Sequence, residues 1–165
     1  MTTLKTLMMA SAIGVMATIP AAAQQPAAPA PMPYGMFISF EAAKKVMAAA
    51  EAEAMKNNWP VAIVIVDSGG HLVMLHKLDN TQYASIHIAE GKARSALDFR
   101  RPTKALKDTL AAGGGGLRLL SFGATTAEGG FLIVVDGKIV GAIGASGVLS
   151  SQDAQVAKAG ADAIK

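Results

Sequence analysis

The segment that most constrains the fold is residues 129–160, whose pattern predicts two strands, a glycine-spaced turn and a helix. Asp136-Gly137 joins the two strands, since this dipeptide favours the type I′ turn of a two-residue hairpin. The second strand carries Gly141 and Gly144 and leads to Gly147, where bulky side chains would normally fill a core. Because positions without side chains admit a neighbouring backbone, a helix or a flat ligand, the sequence predicts a close contact against this strand.

The remaining pattern places this hairpin in an α+β domain. Two hairpins alternate with helices in the order αββααββα, which indicates one antiparallel sheet with its helices and not a doubly wound nucleotide fold. A further short edge strand is considered near 119–122. Hydrophobic periodicity predicts helices over 39–57, 85–98, 103–111 and from 150 or 151 onwards, and strands over 61–66, 72–78, 131–135 and 138–145. The expected N-caps are Ser39 for the first helix, Thr103 for the third, and Ser150 or Ser151 for the last.

The first residues predict export. Lys5 precedes an apolar run over 7–19, and the small residues at 21–23 are typical of a signal peptidase site. We therefore expect a signal peptide over 1–23, cleaved after Ala23, a Pro/Ala-rich linker over 24–37 and a domain over 38–165. The apolar run is shorter than the roughly 20 residues of a membrane span. A periplasmic or secreted protein without membrane insertion after cleavage is the expectation.

Composition argues against several classes of protein. The formal net charge of +3 falls to +2 when Lys5 is removed, and without a basic cluster this gives little reason to expect nucleic acid as a partner. The absence of cysteine excludes disulfides, thiolate ligands and thiol nucleophiles. The glycines at 141, 144 and 147 are spaced GxxGxxG, which differs from the GxGxxG of dinucleotide-binding folds.

Three groups of residues resemble the GlcG/HbpS family of haem-binding or haem-degrading domains. The resemblance covers about residues 40–164 and implies a profilin-like α+β fold, with a central antiparallel sheet of about five strands flanked by helices. It also implies homo-oligomers, haem as a cofactor and, in some relatives, a membrane sensor partner. The matching residues are 61–70 with 72–79 in the first hairpin; Ser85, Ala89, Lys92-Ala93, Ala96, Phe99 and Pro102-Thr103 around the second helix; and Gly129-Gly130, Asp136-Gly137, 141–147, Gln152-Asp153, Val156-Ala157 and Ala159-Gly160 near the end.

Haem requires an iron donor, an apolar surface and cations for its propionates, and three histidines are available as donors. His71 lies in the glycine-rich turn of the first hairpin, where a solvated side chain is expected. His76 lies on the second strand and points to the opposite face from His71, so the two do not form a metal pair. His87 lies on the second helix, off its apolar face. His87 is the first candidate for the iron donor and His76 the second, while an exposed helix residue without a ligand is the alternative for His87.

Lys92, Arg94 and Asp67 are the charged candidates for ligand binding. Lys92 borders the apolar face of the second helix, where its amine is expected to pair with Asp67 or Asp79, to bind an anion, or to reach solvent from a buried stem. Arg94 lies near enough to His87 to meet a propionate. Asp67 has the alternative role of ordering the turn through backbone amides.

Three further positions complete the predicted ligand site. Gly144 leaves space on the second strand of the last hairpin. Ser146 and Gly147 precede the last helix, whose free backbone amides favour an anion. Met74 and the other methionines are more typical of core packing than of metal ligation.

These observations favour an exported protein that binds haem or a related small ligand, with slow haem degradation as chemistry of the cofactor itself. A binding protein is favoured over a dedicated enzyme, and no catalytic residue is assigned. One alternative is a non-enzymatic interaction module for a membrane sensor. The other is an enzyme that acts on a small carboxylic acid through Lys92 and Asp67.

Overall fold

The computed structural model describes residues 30–164, so the predicted signal peptide and the first part of the predicted linker lie outside the described residues. The predicted order of elements is confirmed. The α-helices are α1 (Phe40–Lys56), α2 (Ala84–Asp98), α3 (Thr103–Ala111) and α4 (Ser150–Ala161); the strands are β1 (Ala62–Asp67), β2 (Leu72–Lys77), β3 (Gly130–Val135) and β4 (Lys138–Ser146); and a 3₁₀ helix (Gly114–Leu120) follows α3. No α-helix within residues 30–164 has both the length and the hydropathy that a membrane crossing requires.

The four strands form one antiparallel sheet in the order β2-β1-β4-β3. The central strand β1 is buried on both faces, which explains its continuous apolar sequence. Ile63 and Ile65 join the core under α1 and α4, while Val64 and Val66 join the core under α2. The sheet therefore separates two apolar layers, and the helices cover both faces.

The expectation of about five strands is wrong by one, because the described residues form a sheet of four. The segment 119–122 contains the end of the 3₁₀ helix and a turn, not an edge strand. Its backbone groups are bonded locally: the Ser121 amide donates to the Arg118 carbonyl at 3.0 Å, and the Gly123 amide donates to the Leu120 carbonyl at 3.5 Å. These amides are therefore not free to extend the sheet.

The turn and cap chemistry follows the sequence at two positions. Asp136 and Gly137 have φ values of 49° and 71°, as a type I′ turn requires, and Val135 pairs with Lys138 across it. Ser39 caps α1, and its hydroxyl oxygen accepts from the Ala42 amide at 3.2 Å. Both predictions are confirmed.

The caps of α3 and α4 differ from prediction. Thr103 is the first residue of α3, not its cap, and its Oγ1 accepts from the Gly130 amide at 2.9 Å. This bond ties α3 to the start of β3. Leu149, not Ser150 or Ser151, is the N-cap of α4, and the Leu149 amide donates to Gln152 Oε1 at 3.1 Å.

The last residues of the predicted linker lie against the sheet. The Gly35 amide donates to the Ile139 carbonyl at 2.8 Å, and the Ile139 amide donates to Pro33 at 3.0 Å. The Tyr34 hydroxyl donates to the Leu97 carbonyl at 2.9 Å. These bonds hold residues 33–35 beside β4, where β1 has already ended.

Candidate functional site

The glycine-bearing face of β4 is closed by α2. A Cβ atom on Gly144 would overlap the Ala89 carbonyl oxygen and lie 2.7 Å from the Ala93 amide nitrogen. Of the three neighbours that the sequence allows at this strand, a helix from the same chain is the one that occupies the space. Gly144 therefore brings the α2 backbone into direct contact with the sheet.

The structure therefore argues against the predicted ligand-binding role of Gly144, Ser146 and Gly147. A Cβ atom on Gly147 would overlap the Pro60 carbonyl oxygen, and Ser146 is 4% exposed. The chain's own backbone covers these positions, since the loop before β1 packs on one end of β4 and α2 packs along it. Gly144 and Ser146 are buried and set the spacing of the fold, so a planar ligand has no room against them. Gly147 is half-buried, and Pro60 closes the side on which its Cβ atom would lie.

Lys92 is a buried structural cation. Its side chain is 1% exposed, and its Nζ donates to Asp153 Oδ2 at 2.7 Å and to the Ala145 carbonyl at 2.9 Å. Asp153 Oδ1 accepts from the Val148 amide at 3.2 Å. The expected pairing with Asp67 or Asp79 is replaced by this pair, which links α2, β4 and α4.

Burial dominates the electrostatics of this pair. Burial lowers the pKa of the Lys92 amine, and the hydrogen bond and charge of Asp153 oppose the shift only in part. Burial likewise raises the pKa of the Asp153 carboxyl, against the opposing effect of Lys92. Lys92 is thus out of reach of a substrate, and the enzyme hypothesis that needs its amine loses its central residue.

Asp67 orders the β1–β2 turn. Its Oδ1 accepts from the Gly69 amide at 2.8 Å and from the His71 amide at 2.9 Å. Partial burial favours the neutral carboxyl, but the two amides and the nearby His71 ring outweigh it and hold the pKa of Asp67 below its usual value. The alternative that the sequence offered for Asp67, a turn residue bonded to backbone amides, describes this geometry.

We expect Asp67→Asn to destabilise the protein by about 1 kcal/mol at neutral pH. The hydrogen bonds from the Gly69 and His71 amides weaken because their acceptor is no longer charged. Because the folded-state pKa is lowered, the contribution of Asp67 is full above the ordinary aspartate value of 3.8. It is lost as the pH falls through the lowered folded-state value. Urea unfolding of both proteins between neutral and acid pH measures this difference. A difference that stays constant down to the acid end would contradict the role of the charge.

The three histidines have different surroundings. His76 Nδ1 lies 2.6 Å from Glu51 Oε1 on α1, and His71 Nδ1 lies 3.3 Å from Asp67 Oδ1. His87 is exposed on α2, and its ring forms no hydrogen bond or ion pair within residues 30–164. His87 is therefore open to a metal at both nitrogens, whereas His76 offers only Nε2 and already has a carboxylate that orients it.

We use the name outward face of α2 for Tyr83, which directly precedes the helix, together with His87, Ile88 and Arg94 on it. Tyr83 is 85% exposed and Ile88 is 36% exposed, so this face places apolar surface beside the imidazole. Arg94 is exposed, and its guanidinium bonds Glu90 at 2.9 and 3.0 Å. His87 and Arg94 thus lie on one side of α2, while Lys92, the other cation predicted for ligand binding, points into the core.

Two features of this region were not predicted from the sequence. Thr125 lies over Gly91, where a Cβ atom would overlap its Oγ1, and its amide donates to Ser95 Oγ at 2.8 Å. The loop that follows the 3₁₀ helix therefore crosses α2 at Gly91, between His87 and Arg94. Lys77 Nζ lies 5.9 Å from the centre of the Tyr83 ring and adds a cation near the outward face.

A match to a protein-family model fixes the relationship. The model, described as haem degrading protein HbpS-like, covers residues 38–162. The chain belongs to the HbpS-like family. Protein GlcG of Escherichia coli K12 is 41% identical over 111 residues, which is 67% of this chain and 82% of GlcG. An uncharacterized 15.0 kDa protein of Citrobacter freundii is 34% identical over 128 residues, which is 76% of this chain and 90% of that protein.

Two solved structures share the fold. A double mutant of Streptomyces reticuli HbpS superimposes with a TM-score of 0.72 at 29% identity, over 88% of this chain and 99% of HbpS. A PduOC complex with haem superimposes with a TM-score of 0.72 at 27% identity, over 79% of this chain and 96% of PduOC. The resemblance found in the sequence motifs, and the α+β fold that it implied, are confirmed.

Proposed function

We propose that this protein binds haem on the outward face of α2, with His87 as the iron donor. The observation that carries the proposal is the exposed His87 ring, free of partners among residues 30–164, in a chain of the HbpS-like family. The haem complex of PduOC, which shares the fold, supports haem as the ligand. His76 is the second candidate, because Glu51 orients its ring and leaves Nε2 available.

The residues of the outward face fit the chemical parts of haem. An imidazole is a common axial ligand of haem iron. Tyr83 and Ile88 supply exposed apolar surface for the porphyrin, and Lys77 beside Tyr83 supplies a cation for one propionate. Arg94 supplies a second cation on the far side of the Thr125 loop, which crosses α2 at Gly91. Arg94 would exchange its bond to Glu90 for a propionate, which keeps the guanidinium paired.

When bound, haem supplies its own redox and oxygen chemistry, and the protein supplies position and surroundings. His87 would hold the iron, and the apolar side chains beside it would exclude water from one face of the ring. We infer a binding protein in which haem breakdown is slow, since no buried acid or base of the described residues lies on this face. Lys92 and Asp153 are paired inside the fold and take no part.

A flat ligand on one exposed helix face leaves its other face in water. We therefore expect a second copy of the chain to cover the haem, which makes the binding unit a homo-oligomer. Multi-angle light scattering with and without haemin would measure this. A haem-loaded protein that remains monomeric would contradict a site shared between two copies. It would not contradict haem binding itself.

The main test is a haemin titration of the purified protein followed by its Soret band. We expect His87→Ala to weaken binding roughly tenfold or more and to change the spectrum, because the iron loses its nitrogen donor. His71→Ala is the matched control, since His71 is exposed in a turn on another element. His76→Ala tests the second candidate.

The outcomes separate the parts of the proposal. A wild-type protein that gives no Soret band would contradict haem binding. A band that His87→Ala and His76→Ala both leave unchanged would contradict histidine ligation. An effect confined to His76→Ala would move the donor to β2.

We also propose export to the periplasm or the medium through a signal peptide cleaved after Ala23. Support comes from the apolar run and the small residues that precede Gln24. Mass spectrometry of protein from the envelope fraction would show an N-terminus at Gln24. A chain that retains residues 1–23 in the cytoplasm would contradict the proposal.

A further inference from the structure

A second candidate site lies between the end of α2, α3 and the 3₁₀ helix. It is a cleft of about 240 Å³. Leu106 and Leu119 form its apolar floor and are 2% and 7% exposed. The rings of Phe99 and Phe122 stand beside it with centroids 6.5 Å apart and an interplanar angle of 30°. The cleft therefore offers an aromatic and aliphatic wall to a small apolar group.

Two arginines border the same cleft. Arg101 Nε donates to the Phe99 carbonyl at 3.0 Å, which fixes the guanidinium and leaves its terminal amino groups free. Arg118 reaches the cleft from the 3₁₀ helix. Neither guanidinium pairs with a carboxylate of residues 30–164, whereas Arg94 on α2 does. Two unpaired guanidinium groups next to an apolar wall favour an anion that carries an apolar body.

The cleft is built into the backbone. A Cβ atom on Gly116 would overlap the Thr109 carbonyl oxygen, so glycine lets the 3₁₀ helix lie directly against α3. Gly113, with a φ of 70°, makes the reversal that brings the chain back. The glycine run 113–116 thus has a structural role at this site.

We propose that this cleft binds a small carboxylate with an apolar body, such as an aromatic or branched-chain acid. The carboxylate would lie between Arg101 and Arg118, and the apolar part would lie on Phe99 and Leu119. A volume of 240 Å³ is below the roughly 300–1,000 Å³ of sites for drug-sized ligands, so a tetrapyrrole does not fit. The site is also separate from the proposed iron donor, since Phe99 lies about 18 Å along the α2 axis from His87.

The test uses benzoate as the probe and benzyl alcohol as its neutral counterpart. In NMR titrations of the ¹⁵N-labelled protein, we expect benzoate to shift the amide signals of Phe99, Leu106 and Leu119. We expect benzyl alcohol to bind about tenfold more weakly, and Arg118→Gln or Arg101→Gln to weaken benzoate by about the same factor. Both arginines are exposed, so the variants keep the fold.

Arg100→Gln is the matched control. Arg100 lies next to Arg101 in sequence but stacks on the Tyr34 ring at 4.4 Å, outside the cleft. Benzoate binding that Arg100→Gln reduces as much as Arg118→Gln would overturn the proposal, as would unmoved signals or equal affinity for benzyl alcohol. Haemin binding that depended on Arg118 would also overturn it, because the cleft would then belong to the haem site.

Discussion

Lys92→Met is expected to destabilise the protein by about 3–5 kcal/mol, a large share of the roughly 5–15 kcal/mol that holds an ordinary domain folded. Methionine matches the lysine stem in size, so the core loses little packing. The loss comes from Asp153, whose carboxylate stays 3% exposed without its cation. The Ala145 carbonyl also loses its donor. Circular dichroism and urea unfolding would measure the loss.

Two further variants separate the buried charge from a general effect of removing lysine. Lys104→Met removes an exposed ion pair to Asp108 on α3, in which both side chains are more than half exposed. We expect little change there, because exposed pairs contribute little to stability. The double variant Lys92→Met/Asp153→Leu removes both buried charges and should recover much of the lost stability.

The pair of single and double variants can contradict this account. If Lys92→Met unfolds at the same urea concentration as the wild-type protein, the buried pair does not hold α2 and α4 to the sheet. If the double variant is as unstable as the single variant, the unpaired carboxylate is not the cause. Lost packing at the junction of the three elements would then explain the result.

Most of the fold was predictable from the sequence because local chemistry and burial agree. Val64 and Val66 lie in a continuous apolar run, and a strand buried on both faces needs one. Asp136-Gly137 favours a turn that the pairing of β3 with β4 also needs. The prediction of a fifth strand was wrong because side-chain pattern and backbone bonding disagree there. Residues 119–122 carry apolar side chains, but their backbone hydrogen bonds are made locally within a 3₁₀ helix and a turn.

The candidate site was less predictable, because it depends on contacts between distant residues. Helical spacing placed Lys92 at the border of the apolar face of α2, whereas the structure buries it, because spacing does not identify a partner 61 residues away. Asp153 was matched within the family motifs, yet its position in the first turn of a helix also suits an exposed acid that complements the helix dipole. The exposure of His87, in contrast, was predictable, because it belongs to a polar stripe on the helix and the structure has it exposed.

Glycine gave the same kind of ambiguity at β4. Gly144 indicated a close contact against the strand. The same glycine is expected whether the contact is a helix, a second copy of the chain or a planar ligand. Only the crossing of α2 over the sheet distinguishes them. The overlap of a Cβ atom with the Ala89 carbonyl, together with the nearby Ala93 amide, assigns the glycine to helix–sheet packing.

Gly144→Ala is therefore expected to cost about 3 kcal/mol, at the upper end for overpacked cores, although it adds one methyl group. The added atom meets backbone on a buried helix, and backbone cannot rotate away as the end of a side chain can. The variant must move α2 away from β4, which also loosens the layer that contains Val64 and Val66. Thermal and urea unfolding against the wild-type protein would measure this cost.

Gly115→Ala provides the matched comparison, because a Cβ atom there meets nothing within 4 Å and the residue lies in the 3₁₀ helix. We expect it to be neutral or slightly stabilising, since alanine has fewer conformations to lose on folding. Equal stability of Gly144→Ala and Gly115→Ala would mean that α2 does not rest on β4 as closely as described. The face of β4 would then again be open to a ligand or a second copy, so this one comparison decides between the two explanations of the glycine pattern.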